Sequence, residues 1–413
     1  MTEKSFGQSH KTPFSQLERH LKTLAHITRN PDSKTAKDVL ALQRGLTGNR
    51  ELAGEGYMNK TNLLDAYISY YFPVSYQQIF YALQNVRLPK SNTVRILDFG
   101  SGPGSASAAV IDAVREKNPQ CAIDVVLLDF SQSALNAASA FFRSAYKNIA
   151  VRTVRADFER ESISAVLKKA SIVCDFDIIV SCHLLNELWQ SQTDRISRLT
   201  ALCTDAFSHA AHDGLLILCE PALLKTSRAL LSLRDSLCAE GLPLIAPCPS
   251  DAPCPALSAG ETHTCHADYP CAPIKQLAFL AEKARLERTS VKMTYLVFKK
   301  GENPPREISE NPRCVSGRIV SEAMLNKAGR VRFLVCTGSR RVAISAKKDD
   351  PHAAEIGFFA LKRLDFVQFS CLEERGDAFG IADKTTLKKM PRRTGEMSIL
   401  KPKRAVTPVQ NPF

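Results

Sequence analysis

At 413 residues the chain exceeds the size at which one hydrophobic core usually stops growing, so two or three domains are expected. Apolar residues at 44% and charged residues at 23% form an ordinary globular mixture, which excludes disordered, collagen-like and coiled-coil classes. The net charge of +13 points to nucleic acid, and no apolar run approaches the roughly 18 residues a membrane helix needs, so no membrane partner is expected.

Residues 1–11 are polar and lack an apolar signal core, from which a cytoplasmic location is expected. Leu17, Leu21, Leu24 and Ile27 recur at three- and four-residue spacing, and similar periodicity runs through residues 63–83. Residues 1–90 are therefore predicted to be helical, with Pro73 kinking or dividing the second stretch. Strand-like and helix-like segments then alternate at 94–99, 105–116, 123–129, 133–145, 151–155, 163–170 and 176–181, followed by a long helix at 187–211, a strand at 215–219 and a helix at 224–240. This alternation predicts an α/β, Rossmann-like domain over residues 91–300, a mostly parallel sheet with helices on both faces, and residues 291–299 as its antiparallel edge.

Short β-rich runs at 313–320, 330–336 and 341–346 predict a small appendage over residues 301–380. The remainder, 381–413, is expected to be a disordered basic tail: residues 384–404 hold eight Lys or Arg against one Glu. Such an arm gains affinity for polyphosphate by releasing counterions, which makes Lys388, Lys389, Arg392 and Arg393 candidate RNA contacts. The competing reading is a solvated tail kept for solubility.

The segment Val94-Arg-Ile-Leu-Asp-Phe-Gly-Ser-Gly-Pro-Gly-Ser-Ala joins a strand to a helix of small residues through a glycine turn. Glycines permit unusual φ angles and close ligand approach, and the helix beyond presents unpaired N–H groups. Gly100, Gly102 and Gly104 fall at alternate positions, whereas a dinucleotide fingerprint needs its third glycine where Ser105 stands. The loop is thus read as an S-adenosylmethionine loop within a class I methyltransferase domain. Asp98 belongs to the same site; Asp129 would accept from the ribose hydroxyls and Asp157 would meet the adenine amino group.

Thirteen cysteines without an export signal argue against a disulfide scaffold. Four crowd into the 24 residues 248–271, bracketed by prolines that stiffen the loop, as a metal site requires. Cys248, Cys254 and Cys265 are the best three ligands, with Cys271, His263, His266 or Cys336 as the fourth, and zinc or an iron-sulfur cluster as the metal.

Over residues 60–370 the chain resembles the small-ribosomal-subunit methyltransferase-like family known from mitochondria and also found in bacteria. The resemblance lies in Ala66-Tyr-Ile-Ser-Tyr-Tyr-Phe-Pro-Val-Ser-Tyr, in the loop at 98–104, in Ser181-Cys-His-Leu-Leu-Asn-Glu-Leu, in the cysteine segment 248–266 and in Phe333-Leu-Val-Cys-Thr-Gly. It implies a four-iron, four-sulfur (4Fe-4S) cluster with Cys336 as fourth ligand. It also implies association with the small ribosomal subunit and its rRNA in assembly or translation, in the mitochondrial matrix if the source is eukaryotic.

Three functions follow as expectations. A methyltransferase would present its cofactor's methyl group to rRNA, with His183, Asn186 and Glu187 lining the acceptor side. Alternatively, a non-catalytic iron-sulfur ribosome assembly factor would bind S-adenosylmethionine and rRNA without turnover; it is favoured by the lack of an Asn/Asp-Pro-Pro-aromatic motif or paired cysteine motif for known acceptor chemistry. A small-molecule methyltransferase is a weaker third reading.

Overall fold

The computed structural model describes residues 14–48, 52, 56–84, 86–301 and 313–390. Three helices come first: α1 (Ser15–Leu24), α2 (Ser33–Gln43) and α3 (Thr61–Leu83). The alternating region contains β1 (Thr93–Phe99), α4 (Ser105–Lys117), β2 (Ala122–Asp129), α5 (Gln132–Ala145), β3 (Ile149–Arg155), α6 (Ile163–Lys169), β4 (Phe176–Cys182) and α7 (Arg195–Ser208). It continues through β5 (Ala210–Pro221), α8 (Leu224–Ala239), β6 (Leu244–Ala246), α9 (Pro255–Ser258), β7 (Ala267–Pro270), α10 (Lys275–Lys283) and β8 (Ser290–Lys299).

These strands form one sheet in the order β3-β2-β1-β4-β5-β8-β6, with β7 also on β8. Pairing is parallel from β3 to β5, while β8 runs antiparallel to β5, β6 and β7. Helices cover both faces, and the apolar side chains alternating along each strand divide into two cores, one holding Ile96, Val125 and Ile217, the other Leu97, Leu128 and Leu216. This is the Rossmann-like α/β architecture expected, a mostly parallel sheet with helices on both faces. The expectation for residues 291–299 needs one correction: β8 is antiparallel but lies inside the sheet, because β6 and β7 pair with it from beyond.

The expected long helix at 187–211 is also corrected, since only Arg195–Ser208 is α-helical. Side chains satisfy the preceding backbone instead. Glu220 accepts the Leu185 N–H at 2.8 Å, Asn186 donates to the His183 carbonyl at 2.7 Å, and the Arg195 guanidinium donates to the carbonyls of Leu185 and Leu188 at 2.7 and 2.8 Å.

Helix α3 is neither divided nor ended by Pro73. Proline removes the N–H that would pair with the carbonyl of Ser69, four residues back, and the Gln276 side chain on α10 donates to that carbonyl at 3.1 Å. Gln78 donates to the Lys292 carbonyl on β8 at 2.8 Å, and Tyr81 to the Pro270 carbonyl on β7 at 2.8 Å, so α3 is buried against the sheet's far half. On its other side, Asp112 of α4 gathers His20 at 2.7 Å, Tyr76 and Tyr146, tying α1 and α3 to the sheet's helical cover. Among the described residues no helix is long and apolar enough to cross a membrane.

The appendage comprises β9 (Val315–Ile319), β10 (Met324–Leu325), β11 (Arg330–Cys336), β12 (Arg341–Lys347), α11 (Pro351–Glu355), β13 (Phe366–Ser370), β14 (Glu373–Arg375), β15 (Ala378–Gly380) and β16 (Thr386–Met390). Its sheet has the order β14-β15-β12-β11-β9-β13-β16 around a core that includes Phe333, Ile344, Phe358 and Phe369. The expected boundary at residue 380 is corrected here: Lys388 and Lys389 lie on β16, in register with Gln368 and Val367, and Lys389 pairs with Asp365 at 2.9 Å. Leu387 packs on the core and anchors the strand, a signal outweighed in the sequence by the surrounding charge. Arg392 and Arg393 lie outside the described residues.

Candidate functional site

The strand order reverses between β1 and β4, and a cleft opens there at the carboxyl ends of the strands, where ligands of open α/β sheets bind. It encloses about 1080 Å³ including its mouth and gathers Gly100, Gly102, Asp129, Asp157, His183 and Glu187. All three loop glycines have positive φ, at 75°, 50° and 86°. Their surroundings differ. A Cβ on Gly100 would stand 2.6 Å from Leu184 Cβ and one on Gly104 2.5 Å from Phe142 Cε2, whereas on Gly102 its nearest neighbour would be Met58 Cε at 3.5 Å. Gly100 and Gly104 therefore permit packing, and Gly102 exposes bare backbone to the cleft.

Asp129, at the end of β2, accepts the Gly102 N–H at 2.7 Å and the Ser131 N–H at 2.8 Å. Burial raises its pKa, opposed by these two hydrogen bonds. Asp98, Gly104 and Asn186 do not line this cleft. Asp98 is fully buried beneath the loop, where one carboxylate oxygen accepts the Ser107 hydroxyl at 2.7 Å and its N–H at 3.2 Å. Burial outweighs those hydrogen bonds and pushes its pKa up to about 7, so Asp98 fastens the start of α4 to β1 from behind the ligand space.

Sequence reasoning missed Tyr57, Phe130, Phe158 and Cys182, which also line the cleft, as does Tyr67. Tyr67 was within reach, since it sits in the quoted aromatic segment of α3; Tyr57, on a short turn before that helix, carried no signal. A second cavity of about 1250 Å³, open to solvent, shares Tyr57, Tyr67, His183 and Glu187 with the first. Asn186, Tyr71, Arg288 and Lys292 complete much of its wall, so all three acceptor-side candidates face it. Burial, reinforced by Glu187, holds the Tyr57 hydroxyl well above its usual range. The two cavities thus meet at a wall of phenols, an imidazole and a carboxylate.

At the junction of the two sheets a third cavity, about 340 Å³, is lined by Cys248, Cys254, Cys265 and Cys336. Cys271, His263 and His266 do not line it. Cys271 instead takes a long contact of 3.8 Å from the Gln77 amide. Three arginines share the cavity: Arg234 from α8, Arg318 from β9 and Arg341 from β12. Arg318 donates to Cys265 Sγ at 3.1 Å, while its Nε and Nη1, Arg234 Nε and Arg341 Nε are buried without a hydrogen-bond partner. Gly317 and Gly338 permit the close approach: a Cβ on the first would meet the Cys336 carbonyl oxygen at 2.2 Å, and on the second Ser250 Oγ at 2.3 Å.

A family model described as mitochondrial small ribosomal subunit Rsm22 matches residues 62–353. No curated protein sequence matches the chain. Solved structures similar to it include a methyltransferase from Pyrococcus furiosus, 15% identical over 56% of this chain and 83% of that one, with a TM-score of 0.33. A fibrillarin/Nop5p complex is 13% identical over 55% and 83%, TM-score 0.31, and a type I restriction-modification methyltransferase subunit from Streptococcus thermophilus is 14% identical over 56% and 44%, TM-score 0.32.

Proposed function

The chain belongs to the mitochondrial small ribosomal subunit Rsm22 family, and from that premise we propose that it is an S-adenosylmethionine-dependent methyltransferase acting on the RNA of the small ribosomal subunit. One observation carries the reading: the bare backbone of Gly102 with Asp129 and Asp157, and the candidates His183, Asn186 and Glu187, line two cavities with a common wall. The residues fit the cofactor. Gly102 leaves room for a ligand against the loop, Asp129 would offer its carboxylate oxygens to ribose hydroxyls, and Asp157, which lines the same cleft, is assigned to the adenine amino group. When bound, the cofactor supplies an electrophilic methyl group, and the chain's part is positioning: Glu187 and Tyr57 border the space between cofactor and acceptor. The location proposed is the mitochondrial matrix in a eukaryote and the cytoplasm in a bacterium.

The experiment is incubation of purified protein and immature small subunits with methyl-labelled cofactor. Label in rRNA, lost in Gly102→Arg, is expected. Cofactor binding without transfer would favour the assembly-factor reading, and a folded protein that binds no cofactor by calorimetry removes both.

We further assign the four-cysteine cavity to an iron-sulfur cluster. Three guanidiniums, each with a buried Nε–H that has no partner, suit a net-negative metal-thiolate group, which would supply acceptors and charge. Anaerobically purified protein should be brown, with its visible absorbance lost in Cys254→Ser; colourless protein with stoichiometric zinc there would defeat the assignment.

A further inference from the structure

A separate group of soft donors stands at the wall of the cofactor cleft. Cys182 ends β4 and pairs in register with Cys219 on the parallel strand β5, which places both thiols on one face of the sheet. The next residue, His183, would point to the opposite face if the strand continued. Its φ of 67° turns it back, and its N–H donates to the Cys219 carbonyl at 2.8 Å, which pins the turn. One ligand atom each from Cys182, His183 and Cys219 therefore lies within 4.8 Å of the other two.

We propose that Cys182, His183 and Cys219 bind one zinc ion, independently of the four-cysteine cavity. Two thiolates and an imidazole are a borderline-soft set suited to this ion, and tetrahedral bonding requires only a modest inward movement from the present spacing. Two thiolate charges balance the divalent ion, so its burial leaves no net charge at the site. A second observation points the same way: His183 Nε2 is buried and has no hydrogen-bond partner, so one ring nitrogen of this imidazole is left without an acceptor or a metal. Three protein ligands leave a fourth position, as in catalytic zinc sites. Cys182 and His183 line the cofactor cleft and His183 also lines the second cavity, so that position faces the shared space, open to water or to an oxygen, nitrogen or sulfur of an acceptor.

The test uses the full chain, purified anaerobically with its own metals, and Co²⁺ as the probe for zinc. One cobalt per chain with thiolate-to-metal charge-transfer bands is expected, retained in Cys336→Ser and falling at least tenfold in Cys219→Ala and His183→Gln. X-ray absorption at the zinc edge of the unaltered protein should show two sulfurs and one imidazole nitrogen at bonding distance, a measurement that needs no variant to fold. Cobalt uptake unchanged by both substitutions, spectra without thiolate bands, or a Cys182–Cys219 disulfide in the anaerobic protein would overturn the proposal. Calorimetry with S-adenosylmethionine on the same samples keeps the outcome apart from that of the methyltransferase reading, which can fail while the metal binds.

Discussion

The loop glycines separate a packing role from a binding role, and alanine at two of them should divide the consequences. In Gly104→Ala the new methyl carbon would lie 2.5 Å from Phe142 Cε2 and 2.9 Å from Cζ, on a residue with φ of 86°. The left-handed backbone costs about 1–2 kcal/mol for a residue with a Cβ, and overpacking about 1–3 kcal/mol more, so a loss of about 2–5 kcal/mol is expected. In Gly102→Ala, where φ is 50° and the nearest atom lies 3.5 Å away, only the backbone cost of about 1–2 kcal/mol should appear. Its methyl group instead occupies ligand space, so affinity for S-adenosylmethionine should fall tenfold or more, equal to about 1.4 kcal/mol. Urea titration reads the first quantity and calorimetry the second. Wild-type affinity in a folded Gly102→Ala protein would refute the assignment of the loop, and an unchanged urea midpoint in Gly104→Ala would refute the packing argument.

Replacing Gln276 with Ala should cost about 1–3 kcal/mol by leaving the Ser69 carbonyl unpaired, and less in a Pro73→Ala background where a helical N–H returns; equal costs in a double-mutant cycle would count against this account. Asp98 should make stability fall with rising pH. Its folded pKa of about 7 exceeds the ordinary 3.8, so the folded state retains a proton that the unfolded state releases: the contribution is fully present below about pH 4 and is lost by about pH 7. The gap corresponds to about 4 kcal/mol, and Asp98→Asn should remove that slope from urea midpoints measured between pH 5 and pH 8; a slope shared equally by both proteins would contradict it. Alanine at Lys388, Lys389, Arg392 and Arg393 should flatten the salt dependence of RNA binding by about 2–3 in log–log slope, the lower figure if Lys389 stays committed to Asp365; an unaltered slope returns these cations to a solubility role.

What could be read from the sequence was local in origin. The spacing of Gly100, Gly102 and Gly104 is set by a turn a few residues long, and strand-helix alternation repeats within each crossover, so both were visible without knowledge of distant neighbours. The errors have long-range causes. Pro73 is accommodated because a side chain some two hundred positions later replaces the lost donor, and the start of the expected long helix is held out of helical form where Glu159, thirty residues earlier, accepts the Trp189 N–H. Tyr57 reaches the cleft only because α3 carries the preceding turn over it. The pairing of Cys182 with Cys219 left no mark in the sequence, since neither periodicity nor spacing reveals which strands become neighbours in register.

The position of α3 in the chain bears on how the protein is made. Its partners on β7, α10 and β8 lie 189 to 214 residues downstream, so the helix leaves the ribosome long before any of them exists. At about 5–20 residues per second the interval is roughly 10–40 s, during which a segment with almost no polar side must find temporary shelter. Nascent chains stalled before β7 are accordingly the species most prone to clump, and the ones a chaperone would hold longest.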